Sequence, residues 1–342
     1  MTERLADRTE AAPPRDAGPG FEVYDPEFEA VLGDGGRLAL VAETDAHEGP
    51  VYIPGEDALY FTSVPRAPSD PAGAPQAVIK RLALAGYAFP ADPSRLSTVP
   101  APVHMPNGMT LGHDGRLVVC EQGTRLAPAR ISRVDPRSGR ADTVVGSWGG
   151  LRLNSPNDVV VRGDGTIWFT DPGYGYRQGF RPEPQAGDYV YRFDPGSGRL
   201  SVVADCFDKP NGLAFSPDEQ TLYVTDSGAN DEPGSYHVGR PHHVVAFDVL
   251  GGRHLGPGRL FTVTTPGFHD GIKVDQDGRV YASAWSGVQV FSPAGDLIGQ
   301  ISLPGAVNFT FGGPRGQVLF ITTDTAVWAA VLATAGAGQR SI

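Results

Sequence analysis

The sequence has little cysteine, few basic residues and no long apolar run. Its two cysteines, Cys120 and Cys206, cannot form a disulfide framework or a CxxC metal site, which leaves a single disulfide bond as an open alternative. The chain has 28 Lys and Arg against 39 Asp and Glu, and the net charge of −11 disfavours binding to nucleic acid or to anionic membranes. The longest apolar run, residues 326–333, is too short to cross a bilayer. We therefore expect neither a nucleic-acid nor a membrane partner.

The chain also lacks the motifs of several common enzyme classes. It has no GxSxG sequence, no P-loop and no GxGxxG sequence, which disfavours a serine hydrolase, a nucleoside triphosphatase and a dinucleotide-dependent enzyme. Residues 1–20 have no apolar segment typical of a signal peptide, so we expect a disordered arm there and a cytoplasmic protein. We expect a flexible tail over residues 334–342.

Glycine and proline are abundant, and they indicate many turns. The 45 Gly and 31 Pro residues argue against long helices, because a helix interior tolerates these two residues least. The chain contains six related segments, for example PNDVVVRGDGTIWFTDPG from Pro156 and PNGLAFSPDEQTLYVTDSG from Pro210. Each has a polar residue, a short apolar stretch, a tight turn and a second apolar stretch, which is the pattern of a β-hairpin.

The spacing of these repeats predicts the fold. Successive repeats begin 59, 50, 54, 59 and 38 residues apart, which fits the four-stranded blades of a propeller. We predict an all-β, six-bladed β-propeller domain over residues 21–333, in which segment 21–42 adds a strand to the last blade and closes the ring. Segments 188–194, 243–248 and 287–291 are predicted to be outer strands. WD-repeat, kelch and α/β folds are less favoured, because the chain lacks Trp-Asp dipeptides, regularly placed double glycines and capped amphipathic helices.

The leading residue of each repeat predicts a metal site. Because the innermost strands of a propeller surround its central channel, equivalent positions converge on the axis. These positions hold Glu48, Asn107, Asn157, Asn211, Asp270 and Asn308. Two carboxylates and several amide oxygens form an oxygen-only set that suits one divalent cation, with Ca²⁺ favoured and Mg²⁺ or Mn²⁺ as alternatives. Zn²⁺ is the least favoured alternative, because no His or Cys occupies these positions.

Any one of these residues could instead be an ordinary turn residue, since Asn-Gly and Asp-Gly are common turn dipeptides. The alignment of the repeats argues against this interpretation for Asp270. Asp277 and Gly278 align with the hairpin turns of the other repeats, whereas Asp270 aligns with Asn157 and Asn211. We therefore predict different functions for the two Asp-Gly pairs.

Four segments carry a resemblance to a known family. HEGPVYIP, LNSPNDVVV, KPNGLAFSPDE and HDGIKVDQDG resemble, in the same order, the metal-site segments of the regucalcin/gluconolactonase family of six-bladed lactonases. The resemblance covers about residues 48–325, and the TDPGYGY run is similar to fungal-type lactonohydrolases. It implies that Glu48, Asn157, Asn211 and Asp270 bind the metal and that the protein hydrolyses small sugar-acid or pantoyl-type lactones. Regucalcin-like members carry an Arg that contacts sugar hydroxyls where this chain has Ser155.

Opening a lactone needs a polarised carbonyl, a nucleophilic water and protonation of the ring oxygen, and a bound cation can supply the first two. We expect Asp270 or Asp158 to accept the proton of the water. A carboxylate that binds a cation is a weak base, because the cation stabilises its ionised form. Asp158 avoids this difficulty, although it can equally well be a residue that supports a ligand or a second metal.

The candidate substrate-binding residues are Asn107, His104, Tyr174 and His269. His269 precedes a proposed ligand, as does His47, and strand alternation favours a blade surface over the channel for both imidazoles. The expected partner is a small lactone, and the oligomeric state stays open. Two other functions stay open as well: an aryl-ester or organophosphate hydrolase on the same scaffold, and a non-catalytic calcium-binding propeller.

Overall fold

The computed structural model describes residues 15–16, 20–67, 73–86, 89–232 and 234–338, and its regular structure is almost entirely β. Within these residues the α-helices are the short segments Glu27–Leu32 and Tyr174–Arg177. Three single 3₁₀ turns cover Gly33–Gly35, Pro54–Glu56 and Pro93–Arg95. The predicted all-β class is confirmed.

Six antiparallel sheets follow one another along the chain and form the six blades of a propeller, as predicted. From the innermost strand outward, blade 1 consists of Val51–Ile53, Ala58–Thr62, Ile79–Ala83 and Leu96–Thr98, blade 2 of Pro106–Leu111, Leu117–Glu121, Arg130–Val134 and Ala141–Val145, and blade 3 of Val159–Val161, Ile167–Asp171, Tyr189–Asp194 and Arg199–Ala204. Blade 4 consists of Pro210–Phe215, Thr221–Asp226, His243–Leu250 and Arg259–Val263, blade 5 of Ile272–Val274, Val280–Ala284, Gly287–Phe291 and Leu297–Ser302, and blade 6 of Phe309–Gly312, Val318–Thr322, Ala326–Val331 and Arg37–Glu43.

Smaller strands extend this pattern. Ser147–Trp148 and Leu151–Arg152 form a hairpin between blades 2 and 3, and His254–Leu255 pairs with the end of the third strand of blade 4. The segments predicted as outer strands in blades 3, 4 and 5 are the third strands of those blades.

The N-terminal segment closes the ring. Arg37–Glu43 pairs with Ala326–Val331 and completes blade 6, which confirms the predicted closure. The same segment also extends blade 5, where Phe21–Val23 pairs with Leu297–Ser302 and with Arg15–Asp16. Between these two strands the helix Glu27–Leu32 buries its apolar face on blade 5. The N-terminal segment therefore connects blades 5 and 6.

The core lies between the blades. The second strand of a blade is covered on both faces, and each residue of Ile167–Asp171 and of Val280–Ala284 is buried. These strands are therefore buried along their whole length and do not alternate between buried and exposed residues. Aromatic side chains such as Trp168, Tyr191 and Tyr281 fill the space between neighbouring sheets.

The predicted disordered arm and flexible tail are only partly covered by the described residues. Except for Arg15, Asp16 and Gly20, the predicted disordered arm lies outside the described residues, as do residues 339–342 of the predicted tail. Residues 334–338 are held by backbone hydrogen bonds, including Gln276 N to Ala335 O (2.8 Å) and Ala337 N to Val274 O (2.9 Å).

Both cysteines carry free thiols, Cys120 buried and Cys206 exposed, so they are not joined by a disulfide bond. Among the described residues, no helix is long and apolar enough to cross a membrane.

Candidate active site in the central channel

The leading residues of the six repeats line the central channel, where they form what we call the axial ring. Its members are Glu48, Asn107, Asn157, Asn211, Asp270 and Asn308, one from each blade. The alignment argument for Asp270 holds in the structure, because Asp277 and Gly278 occupy the turn between the first two strands of blade 5.

A glycine that follows the axial residue lets neighbouring blades approach closely. A Cβ atom on Gly212 would lie 2.3 Å from the carbonyl oxygen of Asp270, a separation that real Cβ atoms do not show. The Gly212 amide donates a hydrogen bond to the same oxygen (3.2 Å). A Cβ atom added to the equivalent glycines would also lie too close to its neighbours. It would be 2.6 Å from Asn107 O for Gly49, 2.4 Å from Asn157 O for Gly108 and 2.5 Å from the Asn308 side chain for Gly271. In blade 3 this position holds Asp158, which brings an additional carboxylate into the channel.

We expect Gly212→Ala to destabilise the protein by about 1–3 kcal/mol, because the added methyl group must push the Asp270 backbone outward. Thermal unfolding measures this loss. Gly55→Ala is the matched control: its new Cβ atom meets nothing within 4 Å, and its backbone conformation is open to any residue. Equal unfolding temperatures for the two variants would show that the channel does not require this close approach.

A second repeated feature fixes the backbone of the axial ring. The last or next-to-last residue of the second strand is a Ser or Thr in five of the six blades, and its hydroxyl bonds to backbone at the channel. These bonds are Thr62 Oγ1 to Glu48 O (3.0 Å), Thr170 Oγ1 to Asn211 O (2.7 Å), Thr225 Oγ1 to Asp270 O (3.1 Å), Asp270 N to Ser283 Oγ (3.0 Å) and Thr322 Oγ1 to His47 O (2.6 Å). Blade 2 has Cys120 at this position. The sequence analysis missed these hydroxyls, although their position in the repeat was a signal that could have identified them.

Buried carboxylates hold the loops that lead into blades 2, 3 and 4. Glu121 accepts a hydrogen bond from His104 N (2.9 Å), Asp171 from Asn154 N (2.9 Å) and Asp226 from Lys209 N (2.8 Å). Each bonded amide lies two or three residues before an axial asparagine. Burial raises the pKa of Asp171 to about 7. These carboxylates therefore position the axial side chains without being part of the ring.

Three carboxylates lie in the channel, and the pKa of each is raised. Burial raises the pKa of Glu48, and the charge of Asp158 raises it further. The pKa of Asp270 is raised well above its usual value, first by burial and then by the charges of Glu48 and Asp158. Burial also raises the pKa of Asp158, while Lys273 lowers it. Such a group of charges is unfavourable unless a positive charge compensates it.

The asparagines provide neutral oxygen atoms and hydrogen-bond donors. Asn308 Nδ2 donates to Glu48 Oε2 (2.7 Å), and Asn107 Nδ2 donates to Asn157 O (3.3 Å). Asn211 Nδ2 donates to Ser227 Oγ (3.1 Å). The amides therefore hold the ring in place.

Two buried acceptors in the channel have no hydrogen-bond partner among the described residues. They are Asn157 Oδ1 and Asp158 Oδ2. A buried polar atom without a partner is costly and indicates that water or a ligand completes the site. Oxygen acceptors together with carboxylates are what Ca²⁺ and Mg²⁺ prefer. The described residues contain no group of three or more His, Cys, Asp and Glu side chains arranged for a metal, so any cation here would also depend on amide oxygens.

The structure separates the four candidate substrate-binding residues. Tyr174 is buried beside Asn211 and Asp270, and its hydroxyl lies 3.4 Å from Ser227 O. Asn107 is in the axial ring. His104 is exposed at the edge of the channel, and the hydrogen bonds it makes use its backbone.

His269 differs from the other three. Its imidazole is fully buried in blade 5, where Nδ1 bonds to Ser283 O (2.7 Å) and the ring packs edge-on against Phe291. Burial lowers the pKa of His269 to about 4, so this imidazole is neutral at pH 7. His269 Nε2 is buried and has no hydrogen-bond partner among the described residues, so the function of His269 in substrate binding stays a prediction.

His47 has a different environment, at the edge of the channel next to Glu48. Its Nδ1 lies 2.6 Å from Asp324 Oδ1, in the loop between the second and third strands of blade 6. Burial lowers the pKa of His47, but the bond to Asp324 and the charges of Glu48 and Asp270 outweigh it and raise the pKa. The sequence analysis identified His47 but not its partner.

Arg181 is a further residue that the sequence analysis missed. Its buried guanidinium donates to four backbone carbonyls, those of Thr124 (2.8 Å), Ala127 (3.1 Å), Leu153 (3.0 Å) and Asn154 (2.9 Å). It thereby joins a loop of blade 2 to the segment that leads to Asn157. Arg181 lies in the long loop between the second and third strands of blade 3, outside the aligned hairpin segments, so no pattern pointed to it.

Ser155 supports the same segment. Its hydroxyl donates to Pro172 O (2.7 Å) and accepts from Gly175 N (2.9 Å). These bonds fix the short helix that carries Tyr174. The residue that replaces the arginine of regucalcin-like proteins therefore has a structural function in this chain.

A six-bladed propeller with carboxylates and amides around its channel is the architecture that the sequence resemblance implied. Residues 46–325 match the SMP-30/Gluconolactonase/LRE-like region, and the chain belongs to this family.

Two curated relatives and one solved structure are similar over most of the chain. A gluconolactonase of Zymomonas mobilis is 32% identical over 312 residues, which cover 88% of this chain and 83% of that protein. The lactonohydrolase oryL of Aspergillus oryzae is 28% identical over 85% of this chain and 69% of its own length. The structure of a gluconolactonase from Xanthomonas campestris superposes with a TM-score of 0.73 at 33% identity, covering 95% of this chain and 99% of that one.

Proposed function

We propose that this protein is a divalent-metal-dependent lactonase that hydrolyses small sugar-acid or pantoyl-type lactones to hydroxy acids. The observation that carries the proposal is the group of three channel carboxylates, Glu48, Asp158 and Asp270, in which Asp158 Oδ2 and the neighbouring Asn157 Oδ1 are buried without a partner among the described residues. The family and the lactone-hydrolysing relatives support the reaction class.

The channel residues fit a hard divalent cation, preferably Ca²⁺, which Glu48, Asn157, Asn211 and Asp270 would hold. The four provide only oxygen ligands, and two of them are carboxylates whose charges would be neutralised. When bound, such a cation would polarise the lactone carbonyl and lower the pKa of a water molecule.

The remaining channel residues bind substrate and move protons. We assign Asp158 as the acceptor of the proton from the attacking water, because its Oδ2 is buried, has no partner among the described residues, and is not needed as a ligand. Asp270 is the alternative acceptor. Burial and the neighbouring Asp270 raise the pKa of Tyr174 well above its usual value, so its hydroxyl stays protonated and can donate to a substrate oxygen. Asn107 can donate to a second oxygen.

Metal removal tests the proposal. We expect EDTA-treated protein to lose at least about a hundredfold in kcat/KM on glucono-1,5-lactone or pantolactone, and added Ca²⁺ to restore it. A pH-stat assay measures the acid released. The same samples are assayed on an aryl ester and a phosphotriester as comparison substrates. Metal binding without turnover of any lactone would contradict the proposal, and so would activity confined to the comparison substrates.

A further inference from the structure

An exposed cluster of aromatic residues lies beside Asp270, and we call it the aromatic wall. Its members are Tyr236, Phe268 and Trp285. The Trp285 ring lies 4.7 Å from that of Tyr236 and 6.3 Å from that of Phe268, centroid to centroid. Trp285 is 48% exposed and Tyr236 37%. Large aromatic side chains at such exposure are usually there to bind something.

The wall is on the same face of the propeller as the axial ring. Phe268 lies two residues before Asp270, in the loop that leads into blade 5. Trp285 directly follows the second strand of the same blade, and Tyr236 comes from the long loop of blade 4 that begins at Ser227, the partner of Asn211. Phe268 therefore shares a loop with Asp270. The other two side chains follow Ser283 and Ser227, whose hydroxyl oxygens accept hydrogen bonds from Asp270 N and Asn211 Nδ2.

The backbone holds the indole in a fixed position. The Trp285 amide donates to Pro266 O (3.4 Å), and the ring lies directly over Gly267. A Cβ atom on Gly267 would be 2.5 Å from the indole, and the φ of +93° there also favours glycine. The indole is thus supported from below while its other side stays open. A supported, exposed ring is suited to stacking on a ligand.

The wall gives the channel two different sides. In a ring of six blades, blade 5 is opposite blade 2, which contributes Asn107 and Gln122. A molecule bound over the axial ring therefore meets amide groups on one side and aromatic faces on the other. A lactone with its oxygens on one edge and alkyl substituents on the opposite edge matches this division.

From these observations, and resting on the lactonase function proposed above, we infer that the aromatic wall is a specificity-determining subsite. It receives the C–H-rich edge of the lactone and favours ring-alkylated lactones over otherwise identical lactones without alkyl groups. Apolar pockets discriminate about 10- to 200-fold for each methyl or methylene group they enclose.

Two lactones test this subsite directly. Pantolactone and α-hydroxy-γ-butyrolactone share the ring, the carbonyl and the hydroxyl, and differ in two methyl groups. We expect the wild-type protein to prefer pantolactone by at least about tenfold in kcat/KM. Trp285→Ala removes most of this preference by raising the KM for pantolactone, with kcat within about twofold. Trp285→Phe retains a ring and most of the preference.

Tyr176→Ala is the control, because Tyr176 is also an exposed aromatic residue on this face (43%) but lies in blade 3, outside the wall. It should leave the preference unchanged. An active wild-type protein whose preference is the same in Trp285→Ala overturns the subsite alone. A wild-type protein inactive on every lactone overturns the lactonase function and the subsite together. If Trp285→Ala does not fold, Tyr236→Ala keeps the test valid, because it removes another exposed ring of the wall and should also reduce the preference.

Discussion

Replacement of Asp270 by Asn is expected to lower kcat/KM for lactones about a thousandfold, which corresponds to about 4 kcal/mol. The side chain keeps its size and one oxygen atom, so the change removes charge and little else. With Asp270 neutral, Glu48 would be the one remaining carboxylate among the four proposed ligands. Steady-state kinetics in saturating Ca²⁺ measure the loss.

The same variant should be more stable than the wild-type protein when both are free of metal. Burial and the nearby charges of Glu48 and Asp158 make the Asp270 carboxylate unfavourable in the folded state, as its raised pKa indicates. Thermal unfolding in EDTA should therefore give a higher midpoint for Asp270→Asn. Added Ca²⁺ should raise the midpoint of the wild-type protein more than that of the variant, because a ligand that binds only the folded state stabilises it.

Asp277→Asn is the matched control. Asp277 belongs to the other Asp-Gly pair of the same blade, and its half-exposed carboxylate bonds to Arg279. Its loss should change activity less than twofold and stability by less than about 1 kcal/mol. Full lactonase activity in Asp270→Asn would contradict the assignment of the metal site.

The axial ring was predictable because it depends on the repeat. Once the six segments are aligned, Glu48, Asn157, Asn211 and Asp270 share one position, and the propeller symmetry brings that position to the axis. The recurring glycines were predictable for the same reason, since they stand next to the axial residue. The two exceptions are Asp158 and Phe309, and Asp158 was identified as a carboxylate next to a proposed ligand.

The residues that support the ring were harder to predict, because they depend on contacts between segments far apart in sequence. The three-residue strand Phe21–Val23 pairs with blade 5 almost 280 residues later, and nothing local distinguishes it from a loop. His47 carries no sign of its partner Asp324, which belongs to another blade. Trp285 and Tyr236 come from loops of different length, so alignment of the repeats does not bring them together.

Replacement of Arg181 by Met is expected to cost about 3 kcal/mol of folding free energy, because three buried carbonyl oxygens lose their donor at about 1 kcal/mol or more each, whereas Ala127 O keeps the Thr124 amide as a donor. At roughly 2 °C per kcal/mol for a chain of this size, the unfolding midpoint should fall by about 6 °C. The segment before Asn157 would also lose its attachment to blade 2, so affinity for Ca²⁺ should fall with stability. Arg181→Lys should be intermediate, since one ammonium group cannot span all four carbonyls.

Arg140→Met is the control that distinguishes the loss of the Arg181 hydrogen bonds from a general effect of removing an arginine. The Arg140 side chain is 77% exposed and pairs with Asp142 at 3.2 Å, so its loss should cost less than about 1 kcal/mol. Equal unfolding midpoints for Arg181→Met and Arg140→Met would mean that water replaces the guanidinium at all four carbonyls. In that case Arg181 could not be what positions Asn157, and the segment before this ligand would depend on the hydrogen bonds of Asp171 and Ser155.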